Sequence, residues 1–504
     1  MIPSTPIPPV PAAPDDRAVR ADWIQRHEAA RSRRAAWDPL WQECYDVALP
    51  AQGAGFTTTP AAARRGEQVY DATALDAVDQ LAASLLGHLT PPWTPWFGFR
   101  PGPDLSEAQG RALAPVLEDA ARTMRHHFDR SNFAVEIHQC FLDLVVGGTA
   151  CLAFEESAPG DFTAFRFAAV PLSQVALEEG ADGALDGTFR SLSLTLDQIV
   201  RRYPRADIPP DLAREGSKDP QRKFSVTESF LPDDAGYVHF AFAMESAGGP
   251  ALLHAARRES SPLLNFRWMK SPGDIYGRSP VMKALPDIKT ANRVVELILK
   301  NASIAVTGIW QADDDGVLNP ANIELIPGAI IPKAVGSQGL KALEMPARFD
   351  VSQLVLDDLR ARIRHALLTD RLGQVSGPRM TATEILERAA ESALILGATY
   401  GRLQSELLTP LIVRAHTILR RRGEIPDIAL DGRLVAIDYR SPLARAQGQR
   451  SVQNTLTWLG AVAGLGAEGL AAVDLSAAAR SLGEALGVPT DLIRAPSESP
   501  GTQT

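Results

Sequence analysis

The chain has 504 residues, enough for about three domains or for one large body with insertions. Its 45% hydrophobic and 22% charged residues match ordinary globular usage and exclude wholesale disorder and a polytopic membrane protein. With 51 basic against 60 acidic residues the net charge is −9, which argues against a protein whose main task is to grip DNA phosphates.

Cys44, Cys140 and Cys151 cannot frame a disulfide scaffold and show no CxxC spacing, so a reducing compartment is expected. The opening MIPSTPIPPVPAAP holds six prolines in fourteen residues and lacks the apolar run of a signal peptide. It reads as an extended arm over residues 1–14. The most apolar stretch, Trp458–Ala467, is ten residues, far short of the roughly 20 that span a bilayer, so no membrane partner is expected.

In chain order, residues 15–48 are helical in period, with Trp23, Trp37, Leu40, Trp41 and Tyr45 as large anchors. AQGAGFTTTP breaks the pattern. A second helix opens near Asp71 and places Leu75, Val78, Ala82, Leu85 and Leu89 on one face. PPWTPWFGFRPGP reads as a rigid aromatic corner, and residues 105–146 as two more helices. From TACLAFEE to LLNFRWM the character is mostly β, an antiparallel β or α+β section rather than a βαβ repeat, through FTAFRFAAV, GALDGTFRSLSL, KFSVTESFLP and YVHFAFAM.

Helix returns in PDIKTANRVVELILKNA, with Pro286 expected at the first helical position. After a loop-and-strand insertion, Asp350 and Gln353 have capping-box spacing at the start of the next helix, as do Thr381 and Glu384 further on. The helix from Thr381 is expected to run about 41 residues to Arg422, kinked at Pro410.

No P-loop, dinucleotide fingerprint, nucleophile elbow or HExxH pattern occurs, so no enzyme activity, cofactor or ATP-driven step is expected of this chain. His126, His127, His138, Cys140 and Cys151 fit no zinc spacing. Asp313, Asp314 and Asp315 lack the glutamate of a calcium loop and read as a polar turn. Trp93, Trp96, Phe97 and Phe99 read as packing rather than as a base-stacking platform. Two basic constellations remain. Lys289, Arg293, Glu296 and Lys300 share one helix face. Arg360 and Arg364 share a face of the next helix, with Arg371, Gln374 and Arg379 in or beside the following loop. A solvated face explains both; a surface that meets a polyanion without reading its sequence is the sharper alternative.

The order of motifs resembles the head-to-tail connecting, or portal, proteins of short-tailed, podovirus-type bacteriophages. RRAAWDPLWQECYDVALP and YDATALDAVDQLAASLLGHLTPPWTPWF are similar to that family's N-terminal signature, RWMKSPGDIYGRSPVMKALPDIKTAN to its central block, and MTATEILER, YRSPLARAQ and ALGVPTDLIR to its C-terminal third. The match covers roughly residues 15–495.

This resemblance implies an α+β, mostly helical subunit in a closed homo-oligomeric ring, usually a dodecamer, at one vertex of the virion capsid. The implied regions are a wing over 15–280, stem helices at 281–303 and 349–368 around a clip at 304–348, and a channel loop at 369–380. A long helix follows over 381–440, then a crown over 441–495 and a tail over 496–504. The implied partners are double-stranded DNA, met transiently and without sequence preference, a terminase, tail adaptor proteins and a major capsid or scaffolding protein, with assembly in the host cytoplasm. Arg360, Arg364, Arg371, Gln374 and Arg379 become candidates for the DNA channel, and the Lys289 face a candidate for contacts between subunits. The alternatives are a metal-dependent hydrolase or nuclease using Asp313–Asp315, and a scaffold or adaptor that encloses no DNA.

Overall fold

The computed structural model describes residues 16–52, 69–234, 236–307, 310–311, 341–342, 349–372, 397–440, 455–466 and 473–486. The N-terminal helical stretch is two helices, Asp16–Ala35 (α1) and Asp38–Ala48 (α2), with Pro39 in the first turn of the second, where its missing N–H leaves no bond unmade. Thr73–Leu89 (α3) buries Ala74, Val78, Leu81, Leu85 and Leu89. The aromatic corner contains a strand, Phe97–Pro101 (β1). Glu107–Arg130 (α4) starts at a capping box of Ser106 and Gln109, and Phe133–Gly147 (α5) ends at Gly148. Gly148 has φ +76°, and a Cβ there would lie 2.3 Å from the Gly277 carbonyl oxygen, so only glycine fits.

Eight strands and two helices are then laid down between Thr149 and Arg267. They are Thr149–Glu156 (β2), Phe165–Val170 (β3), Val175–Glu178 (β4), Gly187–Thr195 (β5), Leu196–Arg202 (α6), Pro210–Lys218 (α7), Lys223–Asp233 (β6), Gly236–Ala243 (β7), Ala251–Arg258 (β8) and Leu263–Arg267 (β9). All ladders are antiparallel, in a three-stranded sheet β3-β2-β9 and a five-stranded sheet β4-β5-β6-β7-β8. The antiparallel β reading of the sequence holds here. It missed β4 and the edge strand β8, whose ALLHAARR has no β-branched residue to signal a strand.

The second half is helical. Pro280–Thr307 (α8) begins six residues before the expected Pro286, which lies inside it. The Ser279 hydroxyl accepts the Met282 N–H at 2.9 Å, and Pro280 takes the first helical position. Burial of Val281, Ala284 and Leu285 explains why the helix extends upstream. Trp310–Gln311 (β10) pairs with Lys341–Ala342 (β11). Phe349–Ala366 (α9) packs along α8 and starts one residue before Asp350. Gln353 donates to Asp357 at 3.3 Å, one turn onward, instead of closing the expected capping box.

After Thr369–Leu372 (α10), the description resumes at Gly397–Leu403 (α11), a π-helical turn Gln404–Leu408, and Thr409–Arg422 (α12). The long helix is therefore interrupted just before Pro410. Residues 381–396, with Thr381 and Glu384, lie outside the described residues. Val435–Tyr439 (β12) pairs with β1, and residues 455–464 (α13) and Leu475–Leu486 (α14) follow. No helix of the described residues is long and apolar enough to cross a membrane.

The largest core gathers α2, α3, α4, α5, β2, β3, α8, α9, α11 and α12. Phe128, Phe133, Phe154, Phe165 and Phe167 stack or meet edge-on at 4.4–6.3 Å within it. One buried ion pair ties its halves together. Arg267, 1% exposed at the end of β9, donates from Nη2 to Glu406 Oε1 at 2.7 Å and from its backbone N–H to Glu406 Oε2 at 2.9 Å. The guanidinium also donates to the carbonyls of Ile275 and Gly183, each at 3.0 Å. Glu406 lies in the π turn. Removing one partner of such a pair leaves an uncompensated buried charge, so Arg267→Ala is expected to lower stability by about 3–5 kcal/mol. Urea denaturation monitored by circular dichroism measures this, and a loss within about 1 kcal/mol would contradict the assigned role.

Candidate functional site

The basic residues singled out in the sequence sit on the α8–α9 pair, which is held to the body at one polar junction. The Asn292 side-chain oxygen accepts the backbone N–H groups of Tyr70 and Asp71 at 2.6 and 3.1 Å. Asp71, 5% exposed ahead of α3, accepts from Thr73 N at 3.0 Å and from Arg360 Nε and Nη2, both at 2.9 Å. Burial pushes the Asp71 carboxyl upward. The bonds from Thr73 and the Arg360 guanidinium outweigh that and hold it below the usual carboxylate range.

Arg360 is thus engaged inside its own chain. The Lys289 face is engaged likewise. Lys289 meets Glu43 of α2 at 2.8 Å, and Arg293 and Lys300 both meet Glu296 at 2.6 Å. Arg362 pairs with Asp358 at 2.8 Å and approaches Asp287 of α8 at 3.8 Å. Arg364 differs. Its side chain is exposed and has no ionic partner among the described residues, while its carbonyl accepts the Thr369 hydroxyl at 3.2 Å. The backbone of Arg371 lies in α10; its side chain, and all of Gln374 and Arg379, lie outside the described residues.

The other candidate chemistry separates in space. The three cysteines are free and buried, and burial raises Cys44 and Cys151 to about 12 and holds Cys140 well above its ordinary value, so the thiols stay protonated. His127 is committed to Glu424 at 2.6 Å and to the Ala164 N–H at 3.1 Å. No group of three His, Cys, Asp or Glu among the described residues is arranged to hold a metal ion, and Asp313–Asp315 lie outside them. Trp96, Phe97 and Phe99 are buried: Trp96 packs on Phe128 and Phe133, Phe97 on Phe128, and Phe99 meets Phe97 edge-on, whereas Trp93 is 75% exposed.

Sequence reasoning missed Asp71, Asn292, Glu43, Arg267 and Glu406. A charge inside the apolar run LLNFRWM was the available signal for Arg267, because such a group needs a buried partner. Nothing local pointed to Asp71 as the partner of a residue 289 positions away.

The family model for the bacteriophage head to tail connecting protein matches residues 20–493. The chain belongs to that family. Among relatives of this connector, the probable portal protein of Bordetella phage BPP-1 is 26% identical over 499 residues, covering 93% of this chain and 88% of the phage protein. The portal protein of Salmonella phage epsilon15 is 25% identical over 497 residues (92% and 86%), and that of Escherichia phage T7 is 24% identical over 415 (80% and 75%). Among solved structures, a chain in the neck of an empty GTA particle is 12% identical with a TM-score of 0.34, covering 79% of this connector and 90% of that chain. The family's role is structural, so the connector is not an enzyme.

The Asp71–Arg360 pair can be isolated by a double-mutant cycle. With Asp71 almost fully buried and Arg360 partly exposed, a coupling of about 1–2 kcal/mol is expected between Asp71→Asn and Arg360→Gln, measured by chemical denaturation. Additive effects would show that the two side chains act independently.

Proposed function

We propose that this connector is the portal subunit of a phage particle, forming a closed ring, expected to be a dodecamer, through which double-stranded DNA enters and leaves the capsid. The observation that carries the reading is the family match across residues 20–493, supported by portal relatives aligned over most of the chain. On this reading residues 15–280 form the wing and 281–303 with 349–368 the stem. The clip spans 304–348, the channel loop 369–380, the helix leading away 381–440 and the crown 441–495. A terminase, tail adaptors and a capsid or scaffolding protein dock on the ring, and the assembled place is the virion vertex.

Two features of the α8–α9 pair support a ring around sliding DNA. The first is apolar surface: Leu297, Leu299, Leu354 and Val355 are 44–74% exposed in the single chain. Exposed apolar side chains concentrated on one helical pair are a surface for another copy. The second is charge economy. Acids of the same chain occupy Lys289, Arg293, Lys300, Arg360 and Arg362. A duplex threaded past them meets few free cations, and each phosphate left uncontacted lowers the salt-dependent affinity that would resist motion. Arg364 is a free cation of this pair, and with Arg371 and Arg379 it supplies the sparse basic rings of the channel.

Negative-stain imaging of the purified chain is expected to show closed rings with a central hole, and a uniform population of globular monomers would overturn the proposal. The double variant Leu354→Ser, Val355→Ser is expected to shift most of the protein from ring to monomer in sedimentation velocity while the subunit stays folded. Arg364→Ala is expected to leave ring formation intact and to change the length of DNA packaged per particle. Unchanged packaged length and particle yield would remove Arg364 from the channel.

A further inference from the structure

Residues 196–218, α6 and α7, form an excursion between the neighbouring strands β5 and β6. They fasten to the five-stranded sheet through a cluster of their own, in which Ile199, Tyr203 and Leu212 meet Phe224, Val226 and Leu253. This cluster is distinct from the large core, as expected of a unit able to open by itself. A second fastening is polar. Glu228 of β6, 1% exposed, accepts the Tyr203 hydroxyl at 2.5 Å and Arg202 Nε and Nη2 at 2.9 and 3.2 Å. Arg202 also reaches Glu155 of β2 at 3.2 Å, and so bridges the two sheets.

Beside this clamp lies His239 of β7, 4% exposed, stacked on Phe230 with ring centroids 4.4 Å apart. Its Nε2 is 3.7 Å from Glu228 Oε1, beyond hydrogen-bond reach, and neither ring nitrogen has a hydrogen-bond partner among the described residues. The groups facing it are Glu228 on β6, Arg202 at the end of α6, and His254 and Arg258 on β8, with Tyr203 just after α6 against Glu228 and His254 and Glu155 of β2 beyond Arg202. A buried imidazole with no bonds is costly and calls for an explanation. The Glu228 carboxylate beside it is already occupied by Tyr203 and Arg202.

We propose that residues 196–218 are a proton-sensitive flap, which acid lifts from the sheet so that His239, together with His254, reaches water and is protonated. Burial holds His239 below its ordinary value with the flap closed, with Arg258 and Arg202 adding to the effect and Glu228 only partly opposing it. Burial, with His239 and Arg258 nearby, lowers His254 to about 4. A histidine whose pKa is lower in the closed form favours closure above about pH 6.5 and loses that contribution as pH falls through this value. Lifting the flap frees Arg202 from Glu155, uncouples the two sheets at that point, and uncovers the apolar strip of Phe224, Val226 and Leu253.

Hydrogen exchange of the purified full chain, read by mass spectrometry and corrected for intrinsic rates, tests it. Between pH 7.5 and 5.0, opening of residues 196–218 is expected to rise at least about 30-fold, the effect of one histidine titrating in the open form only. The three-stranded sheet should change far less. His239→Phe keeps the stack on Phe230 and is expected to cut the pH response of the flap by up to about 30-fold, the share of one histidine. An unchanged response in that variant, or one spread equally over both sheets, would overturn the proposal. The wild-type chain gives a second measurement. Exchange of the imidazole C2 hydrogen should show His239 titrating below its ordinary value, and an ordinary titration would equally overturn it.

Discussion

A guanidinium with almost no access to water sets the terms for the rest of this molecule. Taking Arg267 out of solvent costs several kcal/mol unless its donors are met, and they are met by a carboxylate from one segment and carbonyls from two others. Glu406 is 139 residues away in sequence, so satisfying one charge requires the three-stranded sheet, the lead-in to α8 and the π turn of the long helix to come together. The lead-in is fixed a second time, because the Gly277 N–H donates to the Thr149 hydroxyl at 2.8 Å beside the close approach at Gly148. The direction in which α8 leaves the body follows from these contacts.

The α8–α9 pair shows how local neutralisation changes the meaning of a charge pattern. Counted along the sequence, its basic residues suggest a surface for a polyanion. Counted in space, most are met by acids of the same chain at 2.6–2.9 Å, including Glu43 and Asp71 from outside the pair. On the portal reading proposed above, the net charge of −9 suits a nucleic-acid partner that must keep moving.

Legibility in the sequence followed the range of the interaction. The strands β2, β3, β5, β6, β7 and β9 were readable because their alternation is a local property, and the family resemblance because it rests on ordered motifs across residues 15–495. Short edge strands such as β4 and the alanine-rich β8 were not, since their identity comes from the neighbour they pair with. Pro286 misled because proline is a start signal only where no better one precedes it, and Ser279–Pro280 does. The engagement of Arg360 by Asp71 could not be read at all, since a helix-face argument knows only residues three and four apart.

The π turn at Gln404–Leu408 has a consequence for comparing this connector with its relatives. In it the Thr409 N–H bonds the Gln404 carbonyl, five residues back, and one residue is accommodated beyond an α-helical turn. At 3.6 residues per turn, one residue is a rotation of about 100°. A helical wheel drawn without interruption from Gly397 to Arg422 would therefore misplace Leu411, Ala415 and Ile418 by about 100° relative to Tyr400 and Leu403, and misjudge the direction that the buried face takes. That change of direction is made in the five residues that carry Glu406, so the turn that re-aims the helix face is also the one that holds Arg267.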